Sequence, residues 1–270
     1  MKNRLVSVIV PTKNSEATIG ICLASIKSQT YGNIEIIVVD AFSKDKTREI
    51  VDSFGVRVIE SKASMSEARN IGIEQATGDL ILSLDSDMEL TNKVVEECIN
   101  KVKSGYDAVV IPEVSVGSGF WAKCKALEKS CYLDDELIES SRFFKRDVLM
   151  KLKGYDPELE FGEDKDIDLR IRLDEYRIGR VKAFIKHNEG ILRLQKMIEK
   201  KYQYGKTLGQ YAKKHPRELK QQLKIARPAF KKNWRKLARD PQHALGIICL
   251  KACELGALEL GSISCHRVRE

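Results

Sequence analysis

The first 112 residues alternate between short apolar runs and segments whose apolar residues recur at helical spacing. Continuous apolar runs predict buried strands, and they lie at Leu5–Val10, Ile34–Val39, Leu80–Leu84 and Ala108–Ile111, with a shorter extended segment at Val56–Ile59. Helical spacing between these runs predicts helices near residues 19–26, 47–54, 64–76 and 92–104. Because strands that alternate with helices are typical of a parallel sheet covered on both faces, the pattern predicts a doubly wound α/β half.

The alternation breaks after Pro112. Residues 115–139 have a helical or irregular pattern, residues 140–145 have an extended one, and Gly154–Pro157 predicts a turn. Acidic residues then open a predicted helix at Glu163. The side chains expected to face inward from this helix are Ile167, Ile171 and Leu173.

Charge is unevenly spread along the 270 residues, which carry a net charge of +8. Residues 196–240 contain 15 Lys and Arg against 3 Asp and Glu, whereas residues 1–195 have a net charge of −4. An apolar content of 43% is ordinary for a globular chain. The asymmetry predicts an anionic partner for the basic segment.

The N-terminal residues 1–4 lead straight into the first apolar run, so we expect no secretory signal. The sequence contains no run of 18 apolar residues, so we predict no transmembrane helix. The seven cysteines include no Cys-x-x-Cys pair, which is typical of reduced thiols in a cytoplasmic protein, most of them small buried side chains.

Polar residues follow three of the predicted strands at their carboxyl ends. These are Pro11-Thr12-Lys13-Asn14, Asp40, and the pair Asp85 and Asp87. In doubly wound sheets this edge binds the ligand. Neither a Gly-x-Gly-x-x-Gly loop nor a Gly-x-x-x-x-Gly-Lys-Ser/Thr loop occurs, so a bound nucleotide diphosphate would need another source of positive charge. Two carboxylates one residue apart predict a site for Mg²⁺ or Mn²⁺.

Together these stretches resemble family 2 glycosyltransferases, which have the GT-A fold. The resemblance rests on ordered motifs spread over residues 6–190: Val8-Ile-Val-Pro11-Thr-Lys-Asn14, Ile36-Ile-Val-Val-Asp40 with Ser43, Asp45 and Thr47, Ala68-Arg69-Asn70-x-Gly72 with Ala76-x-Gly78-Asp79, Leu84-Asp85-Ser-Asp87, Gly162-Glu163-Asp164-x-Asp166, and His187-Asn-Glu189-Gly190. Each motif alone is weak, but all of them in order are specific. The chain departs from the family in one place, with Ala41 where a second aspartate usually follows Asp40.

The resemblance implies a metal-dependent, inverting hexosyltransferase that uses a nucleotide-sugar donor. It assigns donor binding to Pro11, Thr12, Asn14, Asp40, Arg69 and Asp85, metal binding to Asp87, Asp85 and His187, and the catalytic base to Asp164. A carboxylate such as Asp40 can accept the imide N–H of uracil or the N1–H of guanine, so a UDP-sugar and a GDP-sugar both remain open. The acceptor is expected to be polyprenyl-linked or a saccharide.

Simpler interpretations accompany several of these residues. Arg69 is also compatible with a surface helix arginine, and His187 with a structural histidine. Asp166 and Asp168 are compatible with simple capping of a helix start. For the whole chain the alternatives are a sugar nucleotidyltransferase and a non-catalytic scaffold that binds membrane or nucleic acid. The absence of a glycine-rich loop after the first strand disfavours the former, and the absence of a recognised nucleic-acid module disfavours nucleic acid as a partner.

The domain prediction places a GT-A domain at residues 1–190, with a nucleotide-binding half at 1–112 and an acceptor half at 113–190. Residues 191–270 are predicted to form a basic amphipathic helical extension that suits an anionic membrane surface at the inner face of the cell membrane. Helix starts are predicted at Pro216 and Pro228. The apolar stripe of this extension comprises Leu219, Leu223, Ala226, Phe230, Trp234 and Leu237. The alternative is that the stripe packs against the catalytic domain; the run Ala244–Leu260, too polar to span a bilayer, is expected beside it.

Overall fold

The computed structural model describes residues 4–133, 135, 138–224 and 227–267, with side chains described as far as residue 264. The described chain forms two compact units. The first unit comprises residues 1–113, 140–157 and 163–188, and the second comprises residues 114–139, 158–162 and 189–270. The chain therefore passes from one unit to the other several times.

The strands and helices are numbered here in chain order. The strands are β1 (Val6–Thr12), β2 (Ile34–Asp40), β3 (Arg57–Glu60), β4 (Leu80–Ser83), β5 (Met88–Leu90), β6 (Ala108–Val110), β7 (Glu113–Ser118), β8 (Ser141–Lys145), β9 (Ile178–Arg180) and β10 (Ile185–Ile191). The helices are α1 (Ile19–Lys27), α2 (Thr47–Ser53), α3 (Met65–Gln75), α4 (Val94–Lys103), α5 (Phe120–Cys131), α6 (Arg146–Lys151), α7 (Glu163–Leu173), α8 (Leu194–Lys214), α9 (Pro216–Gln222), α10 (Pro228–Lys232), α11 (Trp234–Arg239) and α12 (Pro241–Arg267).

A mixed seven-stranded sheet organises the first unit, in the order β3-β2-β1-β4-β8-β6-β9. Strands β3, β2, β1 and β4 pair in parallel, as do β6 and β9, whereas β8 runs antiparallel to β4 and to β6. A short second ladder pairs β5 with the start of β10. The predicted mainly parallel α/β sheet is confirmed.

Helices cover both faces of this sheet, and β1 shows why. Side chains alternate between the two faces of a strand, so Val8 and Val10 join one apolar core while Ile9 joins the other. The first core takes side chains from α1, α2 and α4, and the second takes them from α3, α6 and α7. Strands buried on both sides explain the continuous apolar runs in the sequence.

Gly72 lets α3 lie close to β1. A Cβ atom at this position would lie 2.3 Å from Cγ2 of Ile9, well inside van der Waals contact. The start of the same helix carries the predicted capping box, in which Oγ of Ser64 accepts from the Glu67 N–H and the Glu67 carboxylate accepts from the Ser64 N–H. These local features position the next residue of interest, Arg69, on the buried side of α3.

Helices dominate the second unit, in which α12 packs against α5, α8 and α11. A small apolar cluster is formed by Leu159, Leu208, Tyr211 and Leu219. A buried ionic cluster joins α5 to α12, because Lys251 lies 2.5 Å from Glu128 and 2.9 Å from Glu254. Nearby, Lys125 lies 3.0 Å from Glu128 and 3.5 Å from Glu254.

Several details differ from the sequence predictions. Residues 113–118 form β7, where a helical or irregular segment was expected, and Leu173 is 75% exposed rather than inward. Leu173 is the last residue of α7. By contrast, Ile167 and Ile171 are buried as predicted. Residues 114–139 and 158–162 belong to the second unit, whereas the domain prediction grouped them with residues 1–190.

The basic segment forms helices as expected. Pro216 and Pro228 stand at the first turns of α9 and α10. Leu219 is buried, and the Phe230 ring lies 5.4 Å from that of Tyr132 within the second unit, whereas Trp234 is 59% exposed. The stripe residue Ala226 lies outside the described residues. Along the described part of the chain, no helix combines the length and apolarity that crossing a bilayer requires.

Candidate active site

The carboxyl ends of β1, β2 and β4 meet at one edge of the sheet. Thr12 pairs with Asp40 in the β1–β2 register, and Ile9 pairs with Ser83 in the β1–β4 register. Pro11 and Thr12 therefore lie next to Asp40, and the segment that carries Asp85 leaves β4 at the same edge. The structure thus brings together the strand ends that the sequence singled out.

Asn14 ties the loop after β1 to the loop after β2. Its backbone has a φ of +49°, in the left-handed region that asparagine tolerates. Its N–H donates to Oγ of Ser43 over 2.8 Å, and its Oδ1 accepts from the Lys44 N–H over 2.8 Å. The Asn14 side-chain carbonyl is thus engaged by the neighbouring loop, which supports a role in shaping the donor edge.

Asp40 is held in place by the same loop. It is almost fully buried, and its two carboxylate oxygens accept from the N–H and the hydroxyl of Ser43 over 3.0 and 2.5 Å. Each oxygen keeps a second lone pair for a further donor. The neighbouring Oγ1 of Thr12 is buried without a hydrogen-bond partner among the described residues. A ligand N–H could donate to the Asp40 carboxylate, and a second polar group of the ligand could pair with the Thr12 hydroxyl.

Arg69 is the centre of a buried ionic network and is only 2% exposed. Its guanidinium group donates to Oδ1 of Asp85 over 2.9 Å and to Oε1 of Glu163 over 3.0 Å. It also lies 3.0 Å from Oδ1 of Asp164 and 5.0 Å from the ring centre of Tyr155. The alternative of a surface helix arginine is therefore wrong.

Arg142 is a second buried arginine of this network, and sequence reasoning missed it. It donates through Nε to Glu113 over 2.6 Å and lies 3.4 Å from Asp85 and 3.8 Å from Asp164. Glu113, at the start of β7, was missed as well. A charged residue beside two phenylalanines in the predicted extended segment at 140–145 was a usable signal for Arg142.

Asp85 is committed to these two arginines. Burial opposes its ionisation, but the positive charges of Arg69 and Arg142 outweigh burial and lower the pKa of this carboxyl to about 2. Oδ1 pairs with Arg69 and Oδ2 with Arg142. Because a metal ion at Asp85 would face two guanidinium groups, this geometry does not support the prediction that Asp85 is a metal ligand. It leaves Asp85 as a residue that holds both arginines in place.

Asp87 and His187 form a separate pair. Nε2 of His187 lies 3.2 Å from Oδ2 of Asp87, while Oδ1 of Asp87 is buried and has no hydrogen-bond partner among the described residues. Nδ1 of His187 lies 3.7 Å from Glu113, which places a carboxylate behind the imidazole. A carboxylate and an imidazole backed by a second carboxylate suit a divalent cation.

The residues therefore fit a metal ion with few protein ligands. No group of three or more His, Cys, Asp or Glu side chains forms a complete metal site among the residues that the structure describes. Mg²⁺ usually binds one or two carboxylates and takes its remaining ligands from phosphates and water. Asp87 and His187 match that pattern.

Glu163 and Asp164 begin α7, directly beside the arginines. Burial, together with the negative charge of Asp164, raises the pKa of Glu163 to about 7 although Arg69 opposes the shift. Near neutral pH, Glu163 therefore carries a proton in part of the molecules. The Asp164 carboxylate lies between Arg69 and Arg142, which fix its position.

Asp166 and Asp168 bind other parts of the first unit. Asp166 accepts from Nε of Arg170 over 2.8 Å, and Arg170 donates to the carbonyl of Leu152 over 2.6 Å. Asp168 accepts from the Ser141 N–H over 2.9 Å. Both side chains are buried and anchor α7 to the rest of the first unit.

Comparison with known proteins identifies relatives of this arrangement. A model described as "Glycosyl transferase family 2" matches residues 7–157. Glycosyltransferase GlyG of Streptococcus pneumoniae is 38% identical over 116 residues, which make up 40% of this chain and 38% of that protein. An uncharacterized glycosyltransferase of Haemophilus influenzae is 27% identical over 183 residues, 62% of each protein. The matched region thus spans from 38% to 62% of the length of these two relatives.

Solved structures share the fold at lower identity. The mannosyltransferase PcManGT of Pyrobaculum calidifontis, in complex with GDP-Man and Mn²⁺, has a TM-score of 0.64 at 17% identity and covers 100% of this chain and 89% of its own. Residues 1–349 of TarS from S. aureus, in complex with UDP-GlcNAc, have a TM-score of 0.59 at 18% identity, with 98% and 92% covered. These similarities establish a common fold.

Proposed function

Because the chain belongs to glycosyl transferase family 2, we propose that it transfers a sugar from a nucleotide-sugar donor to an acceptor, in a metal-dependent reaction that inverts the anomeric carbon. One observation carries the proposal. Asp164 lies between the buried Arg69 and Arg142, while Asp87 with its unpartnered oxygen faces His187. The site thus combines a candidate base with a candidate cation site, as a two-substrate displacement requires.

Asp87 and His187 would hold the metal ion, either Mn²⁺ or Mg²⁺. When bound, the ion neutralises charge on the donor diphosphate as that group leaves. The site needs the positive charge of the ion, because its carboxylates outnumber its two guanidinium groups. The carboxylates are those of Asp85, Asp87, Glu113, Glu163 and Asp164. The neighbour PcManGT holds Mn²⁺ with its GDP-Man, which supports a divalent cation here.

The nucleotide would bind at the edge formed by Thr12, Asn14 and Asp40. Asp40 is positioned by Ser43 to accept an N–H from the base, and Oγ1 of Thr12 has unused hydrogen-bonding capacity. Uracil and guanine both offer the required N–H. Neighbours of this fold bind UDP-GlcNAc and GDP-Man, and the proposed donor is therefore a UDP-sugar or a GDP-sugar.

Asp164 would act as the general base. It accepts the proton of the acceptor hydroxyl as that oxygen forms a bond to the anomeric carbon and the bond from this carbon to the diphosphate oxygen breaks. Attack from the side opposite the leaving group inverts the configuration. Arg69 and Arg142 hold the carboxylate in place and are positioning residues for this step.

The acceptor is proposed to be polyprenyl-linked or a saccharide. A saccharide hydroxyl needs the Asp164 base, whereas a polyprenyl phosphate is already an anion and would need Asp164 only for orientation. The basic helices of residues 196–240 would keep the protein at the inner face of the cell membrane, where a lipid-linked acceptor is found.

A panel of UDP-, GDP- and dTDP-sugars tests the proposal. Calorimetry should show that one nucleotide class binds more tightly with Mn²⁺ present, and the same class should support slow donor hydrolysis. In the same assay Asp87→Asn should lose the effect of Mn²⁺, whereas Asp174→Asn, an exposed change directly after α7, should keep it. Failure of every donor to bind with Mn²⁺ would favour a non-catalytic scaffold on this fold.

A further inference from the structure

Helix α12 exposes an unusual apolar face. Its exposed positions recur at steps of three and four residues, which places them on one side of the helix. From residue 245 onward they are Leu245, Ile248, Cys249, Ala252, Gly256, Glu259, Leu260 and Ile263, and in the first turn Pro241 and the polar Gln242 are exposed as well. At about 100° per residue they fall within roughly 60° of a common direction, along about 27 Å of helix. Glu259 is the one charged side chain in this exposed set.

The opposite side of α12 is already covered. Ile247, Leu250 and Leu258 are buried, and a Cβ atom at Gly261 would lie 2.1 Å from the Tyr202 carbonyl oxygen of α8. That covered side also carries Lys251 and Glu254 of the buried ionic cluster. Apolar side chains therefore lie on both sides of α12, and only one side is covered.

Four large apolar side chains on this face are exposed to solvent. Leu245, Ile248, Leu260 and Ile263 are between 46 and 65% exposed. Exposed apolar side chains grouped on one face of a helix mark a protein or membrane contact. Spanning a bilayer is not the use of this helix, since no described helix meets the length and apolarity that spanning requires. The remaining possibility is that the helix lies along a membrane or protein surface.

Positive charge immediately precedes this face. Helices α10 and α11 expose Lys231, Lys232, Arg235 and Arg239 and carry no acidic residue, while Nζ of Lys236 donates to the Ser130 carbonyl. Helix α11 packs against α12. Trp234, on α11, is 59% exposed. Lysine and arginine beside exposed tryptophan and leucine are the composition of helices that lie in the headgroup region of an anionic membrane.

We infer that the exposed face of α12, together with the basic residues of α10 and α11, is a membrane-binding surface for anionic phospholipids. The side chains of Leu245, Ile248, Leu260 and Ile263 enter the boundary between headgroups and acyl chains. The lysines and arginines pair with lipid phosphates. Trp234 sits at the interface. This inference names the partner that the proposed lipid-facing function requires, and it stands on observations outside the candidate active site.

Vesicle flotation of the full-length protein tests the inference. Vesicles of phosphatidylglycerol and phosphatidylcholine in equal parts should bind the protein at low salt, and vesicles of phosphatidylcholine alone should bind it at least about tenfold less. The double variant Leu245→Gln and Ile248→Gln should lower binding to the anionic vesicles by at least about tenfold. A blue shift of tryptophan fluorescence on vesicle addition should accompany binding.

Matched variants separate this surface from other effects. Met150→Gln with Leu173→Gln removes two comparably exposed apolar side chains from the first unit and should float like the wild type. A triple variant should bind the anionic vesicles more weakly and with a smaller salt dependence; it combines Lys231→Gln, Lys232→Gln and Arg235→Gln. Nucleotide binding by all these variants, measured by calorimetry, should be unchanged, so failure of the membrane inference is distinguishable from failure of the proposed enzyme function.

Three outcomes would overturn the inference. The first is a wild-type protein that ignores anionic vesicles at low salt. The second is an α12 double variant that floats as well as the wild type. The third is a dimer in solution that ignores vesicles and becomes monomeric in the double variant, which would show that a second copy covers this face. Light scattering on both proteins makes that distinction.

Discussion

The guanidinium group of Arg69 lies 3.0 Å from Oδ1 of Asp164 and, on its other side, 2.9 Å from Oδ1 of Asp85. One buried cation thus links the segment that follows β4 to the first turn of α7. Arg142 bridges the same two carboxylates at longer distances, 3.4 Å to Asp85 and 3.8 Å to Asp164. The candidate base is therefore held by two side chains from different elements, which limits its freedom to move.

Asp164→Asn tests the base. We expect the variant to fold and to bind donor nearly as well as the wild type, because the amide is the same size as the carboxylate. Sugar transfer should slow by at least about a hundredfold, the usual cost of losing a general base. Single-turnover kinetics with a saturating donor measures this step. Asp174→Asn should transfer at the wild-type rate, and wild-type turnover by Asp164→Asn would remove this residue from catalysis or indicate a phosphate acceptor.

Asp87→Asn tests the cation site. An amide oxygen is a weaker ligand for a hard cation than a carboxylate, so Mn²⁺-dependent binding of UDP or GDP should weaken by about tenfold or more. Calorimetry with and without Mn²⁺ provides the measurement. Asp79→Asn, exposed at the opposite end of β4, should bind like the wild type. Equal metal-dependent affinity in Asp87→Asn would refute the assignment of Asp87 as a ligand.

Arg69→Met tests the stability of the network. Removing this cation leaves Asp85, Glu163 and Asp164 with less compensation in a buried site, so the free energy of unfolding should fall by about 3–5 kcal/mol. Arg48→Met is the matched control, because Arg48 pairs with Asp52 at 2.9 Å on the surface and should cost at most about 1 kcal/mol. Urea unfolding of both variants gives the comparison. Equal losses would show that burial does not strengthen the Arg69 contacts.

Glu163→Gln tests the raised pKa. The pKa of Glu163 rises from an ordinary 4.5 to about 7 in the folded protein, so the folded state binds more protons than the unfolded state between these values. The stability that this group contributes is present below pH 4.5 and is lost as the pH rises through 7. The Tm of the wild type should therefore fall, relative to that of the variant, from pH 4.5 to pH 8.

Calorimetric Tm values across that pH range measure the difference between the two proteins. Glu74→Gln, an exposed change on α3, should give a curve parallel to that of the wild type. A Glu163→Gln curve that is also parallel would show that Glu163 titrates in the same way in the folded and unfolded states.

The sequence alone determined the order of the elements and the edge of the sheet that carries the candidate active site. Apolar runs such as Val6–Thr12 and Leu80–Ser83 are buried on both faces, and that burial is what makes such a strand visible in one dimension. Polar residues at the ends of these strands then predict a ligand edge without knowledge of strand order, because parallel strands end on the same side.

The tertiary structure decided which charges meet and which helix face stays open. Arg142 and Glu113 join the site only because antiparallel β8 lies between β4 and β6, and strand order depends on long-range pairing that local periodicity does not record. The same contacts direct Asp85 toward two arginines. On α12 apolar residues lie on both sides of the helix, and the charged Lys251 and Glu254 lie on the covered one, so the sequence alone does not show which side stays open. Packing against α5 and α8 covers one of them and leaves Leu245 and Ile248 on the other.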